Sequence, residues 1–301
     1  MRIPIPPVPL PPHLADVARE YADGTRVAVE PKDAATVVVM RQGAAGPEVY
    51  LLRRQVSMEF AGGMAVFPGG GVDPRDFDDV LEDHAAWVGP TPHEWAQRLA
   101  CTPEQARALV CAAVRETFEE CGVLLAGPDA DTVVADTTGE DWEADRQALE
   151  ARELSLTDLL VRRGLVLRTD LLGTWSGWLT PVFESRRYRT WFFVAALPEG
   201  QRTRDVSTES SAVMWTGAMQ AADAVDAGEL AMLPPTYLTC LEVGGHASIE
   251  DVLDAARHRS VAMFMPEVEP LGEGWTLSMP DALRPMVAER AARRGATGSA
   301  S

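Results

Sequence analysis

No stretch of this sequence approaches the roughly 18 to 20 continuous apolar residues that a membrane span requires. The N-terminus also lacks the basic stretch and apolar core of a signal peptide. A soluble, cytoplasmic protein is the expectation. Cysteine is sparse, and Cys101, Cys111, Cys121 and Cys240 show no CxxC spacing, which argues against a disulfide framework or a zinc site and for reduced thiols. His13, His84, His93, His246 and His258 are scattered without the close spacing that brings two imidazoles onto one metal. Positive charge is short as well: 27 Lys and Arg stand against 45 Asp and Glu, a formal net charge of −18. That excess repels polyanions, so nucleic acid and anionic membranes are not expected partners. A small anionic substrate then requires a local reversal of sign, from bound metal or clustered arginine.

What is present is a chain of 301 residues and 46% apolar content, enough for one large core. Residues 1–30 form a proline-rich N-terminal segment, 31–265 the main domain with an inserted helical element at about 77–103, and 266–301 a C-terminal tail whose end, from Val287, is expected to fray. The β-branched run 34–40 reads as a buried strand, and the turn at 43–47 leads into a partner strand at 48–53, a hairpin. Five glycines within the ten residues 62–71 imply tight turns or a close approach of backbone to a ligand. Residues 104–121 lack glycine and proline and are stopped by Gly122, the pattern of a helix with glycine just past its end. A short strand is expected at 123–125, helix within 129–163, strands at 165–169, 177–183, 190–197 and 214–215, and helices at 216–230 and 249–258.

On a helix with about 100° per residue, Glu119 lies at about 300° and Glu120 at about 40° from Glu116, so the three carboxylates share one face. Val110, Val114, Thr117, Phe118 and Cys121 fall on the opposite side, available to the core. Glu116 and Glu120, at i and i+4, repel by a few tenths of a kcal/mol, and Glu119 adds to this. In an acidic chain such a helix alone reads first as a solvated face. Oxygen-only donors grouped this way also suit a hard divalent cation such as Mg2+ or Mn2+.

The neighbouring residues decide between these readings. The run from Arg115 through Glu116, Thr117, Phe118, Glu119, Glu120 and Cys121 to Gly122 and Val123 resembles the second half of the Nudix box, R-E-U-x-E-E-x-G-U. Six of its seven specified positions match, with Thr117 in place of an aliphatic residue. The glycine-rich segment from Pro68 to Asp73 resembles the opening of the box, with Gly70 as its glycine. Six residues on stands Asp76 where the family has glutamate, and 38 residues rather than seven then precede Arg115, an insertion of 31. An expanded box, with 51–54, 66–70, 178–181 and 186–193, is similar to a branch of the Nudix family typified by peroxisomal-type coenzyme A diphosphatases.

The resemblance implies an α/β fold, the Nudix α/β/α sandwich around a mixed β-sheet, with the insertion lengthening the first loop of the box. It implies a diphosphatase acting on a nucleotide-containing small molecule, with coenzyme A or acyl-coenzyme A leading and ADP-ribose, NADH or another nucleotide derivative as alternatives. A non-catalytic ligand-binding or regulatory protein on the same fold is the reading of a different class. It also implies that Glu116, Glu119 and Glu120 hold Mg2+ or Mn2+, joined by Glu209 from a later loop. Glu116 also takes the proton of the attacking water, Arg115 orients the carboxylates, and the backbone of Gly69 to Gly71 supports metal and helix, with Gly69 and Gly70 at the substrate. For Arg53, Arg54, Arg186 and Arg187, phosphate binding and ordinary surface ion pairing both stay open. Self-association as a homodimer stays open too.

Overall fold

A run that is apolar at nearly every position suits a strand covered on both faces, and residues 34–40 sit in such a strand, at the centre of a sheet. A computed structural model of the chain describes residues 9–57, 61–80, 86–208 and 210–298. In chain order it opens with β1 (Pro9–Leu10), α1 (Pro12–Ala22), β2 (Lys32–Gly43), β3 (Gly46–Arg54), β4 (Ala65–Val66) and β5 (Gly69–Gly71). A 3-10 turn (Pro74–Phe77), β6 (Trp87–Val88), α2 (Pro92–Leu99), α3 (Pro103–Cys121) and β7 (Ala126–Gly127) follow. Next are α4 (Glu140–Glu150), α5 (Leu156–Arg163), β8 (Val166–Arg168), β9 (Gly173–Leu179), β10 (Tyr188–Ala196) and β11 (Ser210–Gly217). The chain closes with α6 (Ala218–Ala227), α7 (Pro234–Gly244), α8 (Ile249–Arg257), β12 (Met263–Phe264), β13 (Val268–Leu271), β14 (Gly274–Leu277) and α9 (Arg284–Gly298).

The main sheet runs β11-β3-β2-β10-β9-β12, with β4 paired to β3 and β5 to β2. It is mixed: β10 lies parallel to β2, whereas β3 and β5 lie antiparallel to it. Successive residues of β2 point to opposite faces. Ala35, Val37 and Val39 join one buried cluster with α2, α3 and the α4–α5 segment. Val38 and Met40 join another with α6, α7, α8 and Val287 of α9. Two helical layers therefore enclose the sheet, the expected α/β/α sandwich.

The inserted element forms α2, capped by Thr91 and started by Pro92. Its Trp95 is fully buried against Phe193, a contact whose removal by Trp95→Ala costs about 3–5 kcal/mol. Two expectations need correction, and one helix, α7, has no counterpart among the expected elements. Residues 123–125 are buried coil, because the Gln201 side chain, not a neighbouring strand, donates to the Leu124 carbonyl and accepts from its N–H. The α7 segment is helical although its sequence shows no periodic polar face, since seven of its eleven residues are buried and none is exposed. The end of the chain does not fray from Val287: that residue is buried, and Arg290 bonds to Asp223 and Asp226 of α6.

Candidate functional site

Helix α3 is held at both ends. Thr102 accepts from the Gln105 N–H (3.2 Å) and Pro103 occupies the first turn. At the other end Gly122 adopts φ +72°, where a side chain is strained. The helix is buried along nearly its whole length, including Arg115, Glu119 and Glu120. Its carboxylate face is therefore covered by β5, the 3-10 turn and α4, and not solvated.

The glycine strand β5 packs directly on that face. A Cβ at Gly70 would lie 2.5 Å from Glu116 Oε1, so the absence of a side chain lets the carboxylate reach the strand. The Gly69 N–H donates to Glu120 Oε2 at 2.7 Å. Ladder pairing of Ala34, Ala35 and Thr36 with Gly71, Gly70 and Gly69 fixes β5 against β2.

Arg115 organises the remainder. Its Nε and Nη2 donate to the two oxygens of Asp76 at 2.9 and 2.8 Å, and Nη2 also reaches the Gly71 carbonyl at 2.9 Å. Its Nη1 donates to Glu116 (2.7 Å) and Glu119 (3.3 Å). Asp76, 3% exposed, thus stands where the box places glutamate and makes the two-pronged pair with the box arginine. The shorter side chain reaches because Asp76 sits in the tight 3-10 turn, where it also accepts from the Asp73 N–H at 2.8 Å.

Arg115 answers three carboxylates with one positive charge, and Glu120 adds a fourth beside Gly69. Burial, and next the Glu116 charge, push Glu119 up to about 7 against the pull of Arg115. For Arg115 burial opposes the charge, yet its carboxylate partners, Asp76 foremost, hold its pKa above the ordinary value. Among the described residues no three acidic, histidine or cysteine side chains converge as a ready coordination shell. Arg115 holds Glu116 and Glu119, while Gly69 holds Glu120. The donor set is nonetheless hard oxygen, crowded and negative, which fits Mg2+ or Mn2+ in chemistry.

The other sequence candidates lie apart from this cluster or elsewhere in the chain. Arg53 is exposed at the end of β3, its Nε donating to the Gly63 carbonyl at 3.3 Å, and Arg54 is half-buried beside it. Arg187 is buried and its donors go to the Thr180 carbonyl (3.1 Å), the Val29 carbonyl (2.9 Å) and Met265 Sδ (3.5 Å). Its guanidinium serves as a brace between strands. Arg186 is exposed. Glu209 lies outside the described residues. Sequence reasoning passed over Arg146 and Arg204, which meet the last turn of α3 from outside the box; Arg146 spaced at three and four from Glu143 and Glu150 is an ordinary helix pattern, and nothing local marks Arg204.

The sandwich and the carboxylate helix packed on a glycine strand define a Nudix hydrolase. More narrowly, residues 31–241 match the family model of the NUDT19 Nudix domain, and the chain belongs to that family. It is 23% identical to the acyl-coenzyme A diphosphatase NUDT19 of Xenopus laevis, over 77% of this chain and 70% of that protein. The Gallus gallus protein of the same name is 28% identical over 68% of this chain and 63% of its own length. A NUDIX hydrolase structure from Alicyclobacillus acidocaldarius superposes with a TM-score of 0.63 at 26% identity, covering 78% of this chain and 99% of that one. Among the described residues no helix is long and apolar enough to cross a membrane.

Proposed function

We propose that the chain hydrolyses the diphosphate bond of coenzyme A or acyl-coenzyme A to 3′,5′-ADP and (acyl-)4′-phosphopantetheine, using Mg2+ or Mn2+ held by Glu116, Glu119 and Glu120. The carrying observation is the buried Arg115–Asp76 pair, which joins the two halves of the box across the insertion while Arg115 also holds Glu116 and Glu119. The names of the similar vertebrate proteins supply the substrate class. A divalent cation bound there polarises phosphoryl oxygens and lowers the pKa of a bound water. Glu116, between Arg115 and Gly70, is the carboxylate we assign to take the proton from the attacking water, and Arg115 orients Glu116 and Glu119 without touching substrate. Glu209 is proposed as the further metal carboxylate.

For the distal anionic part of the substrate we assign a cleft of about 350 Å3 lined by Lys32, Ser185, Arg186, Arg187 and Tyr188. Lys32 is the one lysine in the chain, and it stands two residues along β2 from Ala34, the ladder partner of Gly71. At about 3.3 Å per residue that is roughly 7 Å of strand. Arg186 and Lys32 supply the charge, with Arg187 bracing the wall, while Arg53 and Arg54 stand at the end of β3, where Arg53 pairs with Ala65 of β4.

Purified protein with Mg2+ would be given coenzyme A, ADP-ribose, NADH and dinucleoside polyphosphates, with products resolved by chromatography. Release of 3′,5′-ADP from coenzyme A is the expected outcome. Turnover of ADP-ribose or NADH alone would refute the substrate, and binding of nucleotide with no product from any compound would favour the ligand-binding reading.

A further inference from the structure

A helix leaves its last four carbonyls without intrahelical partners, and in α3 those carbonyls belong to the turn that carries Glu119 and Glu120. The chain answers three of the carbonyls in that turn from different places. Phe118 O accepts from the Gly122 N–H (2.9 Å) and Cys121 O from the Arg204 N–H (2.9 Å). Glu119 O accepts from Arg146 Nη1 of α4 at 2.7 Å.

Arg146 is 3% exposed, and it is the centre of a connected set. Its Nε and Nη2 donate to Glu143 (3.1 and 2.8 Å) and its Nη1 to Glu150 (3.0 Å). Glu143 accepts in turn from Arg204 Nη1 at 2.6 Å, and Glu150 from Thr208 Oγ1 at 2.6 Å. The Arg204 guanidinium fills the space where Gly122 has no side chain: a Cβ there would lie 2.7 Å from its Nε. Hydrogen bonds from Arg146 foremost hold Glu143 down at about 2, so these contacts stay charged at neutral pH.

We propose that Arg146 is a positioning residue for Glu119 and Glu120, and that through Glu143 and Glu150 it couples the end of α3 to the 204–208 loop. The two loop contacts, Arg204 on Glu143 and Thr208 on Glu150, lie at either end of the 204–208 loop, so one guanidinium sets the helix carboxylates and the loop in register. The inference rests on the proposed metal site, though not on the substrate.

The test uses the full chain with Arg146→Met, Arg146→Lys, Glu150→Gln and Thr208→Val, each held at a temperature where circular dichroism shows it folded. Mn2+ binding is read by electron paramagnetic resonance without substrate, and kcat and KM separately with Mg2+. Loss of an outer contact to a metal site lowers affinity about 10- to 100-fold. Arg146→Met should weaken Mn2+ binding within that range and lower kcat while KM changes by less than about twofold, with Arg146→Lys partly restoring both. Glu150→Gln and Thr208→Val, one contact further out, should each weaken Mn2+ binding by no more than about 10-fold, the low end for an outer contact. Folded Arg146→Met that binds Mn2+ like the wild type would overturn the proposal, as would equal effects of Arg146→Met on kcat/KM with no change in Mn2+ affinity. If the wild type binds Mn2+ but leaves coenzyme A intact, the substrate reading fails and the Mn2+ titration still decides this one.

Discussion

The two faces of the central sheet each bury an arginine with acidic partners, and the difference between them is informative. Under α6–α9, Arg290 donates to Asp226 (2.7 Å) and Asp223 (2.7 Å), while the Tyr237 hydroxyl donates to Asp226 (3.0 Å). Only Asp226 is deeply buried there, with a side-chain exposure of 5%, whereas Asp223 reaches solvent at 65%. The buried charges match one for one. Under α3, Arg115 faces Asp76, Glu116 and Glu119 together, and all three are nearly buried. Burying ions is costly unless they are paired, so the balanced trio is what stability alone would select. The carboxylate excess on the other face is relieved by a proton on Glu119 or by the cation we propose there, and it is the excess, not the burial, that distinguishes this face.

Four substitutions and one change of condition break or sharpen that contrast, the largest effect first. Glu119→Gln and Glu120→Gln should each lower turnover by at least about 100-fold, since even outer contacts of a metal site are worth 10- to 100-fold. Steady-state kinetics at saturating Mg2+ would show it, and near-normal rates would mean that the carboxylate excess is incidental. Next in size is Arg115→Met. It leaves Asp76 buried at 3% exposure with its charge unanswered, which costs about 3–5 kcal/mol. Urea unfolding would measure the loss, accompanied by loss of activity.

Much of this contrast is legible in the sequence, and the remainder is not for identifiable reasons. The helix over 104–121, its glycine stop and the alignment of three glutamates are local, set by periodicity and capping within one element. The β2–β3 hairpin is likewise local. The Arg115–Asp76 pair spans 39 residues and an inserted helix, so spacing alone leaves the substitution of aspartate for the box glutamate unsettled; the tight turn that makes the shorter side chain sufficient is a tertiary fact. Arg187 looks like a phosphate ligand because its run of arginines stands out in an acidic chain, yet its donors point at Val29 and Thr180. Residues 123–125 look like a strand because they are apolar, and a glutamine 77 positions away takes their backbone groups instead. Burial and partner choice are decided between elements, where a sequence pattern has no reach.

The opposite face supplies the control. Arg290→Met removes the cation paired with Asp226, which keeps the Tyr237 hydroxyl, and should destabilise by about 2–3 kcal/mol, the worth of a hydrogen bond to a charged group. Its kcat should stay within about twofold of wild type. A large fall in kcat with metal affinity unchanged would show that the two faces are coupled through the sheet and are not separate ledgers of charge.

The smallest effect concerns pH. Glu119 is pushed from 4.5 up to about 7 by burial and then by Glu116, so between those values the folded chain holds a proton that the unfolded chain has released. The unfolded state then binds fewer protons, and stability falls as pH rises from about 4.5 to about 7. With a chelator present, the difference in Tm between wild type and Glu119→Gln should therefore move against the wild type by a few degrees across that window. Saturating Mn2+ should reverse the slope, because cation binding requires the ionised carboxylate and strengthens as the proton leaves. A wild-type curve parallel to the variant's, with and without Mn2+, would mean that Arg115 already neutralises the site, and the asymmetry between the two faces would lose its functional meaning.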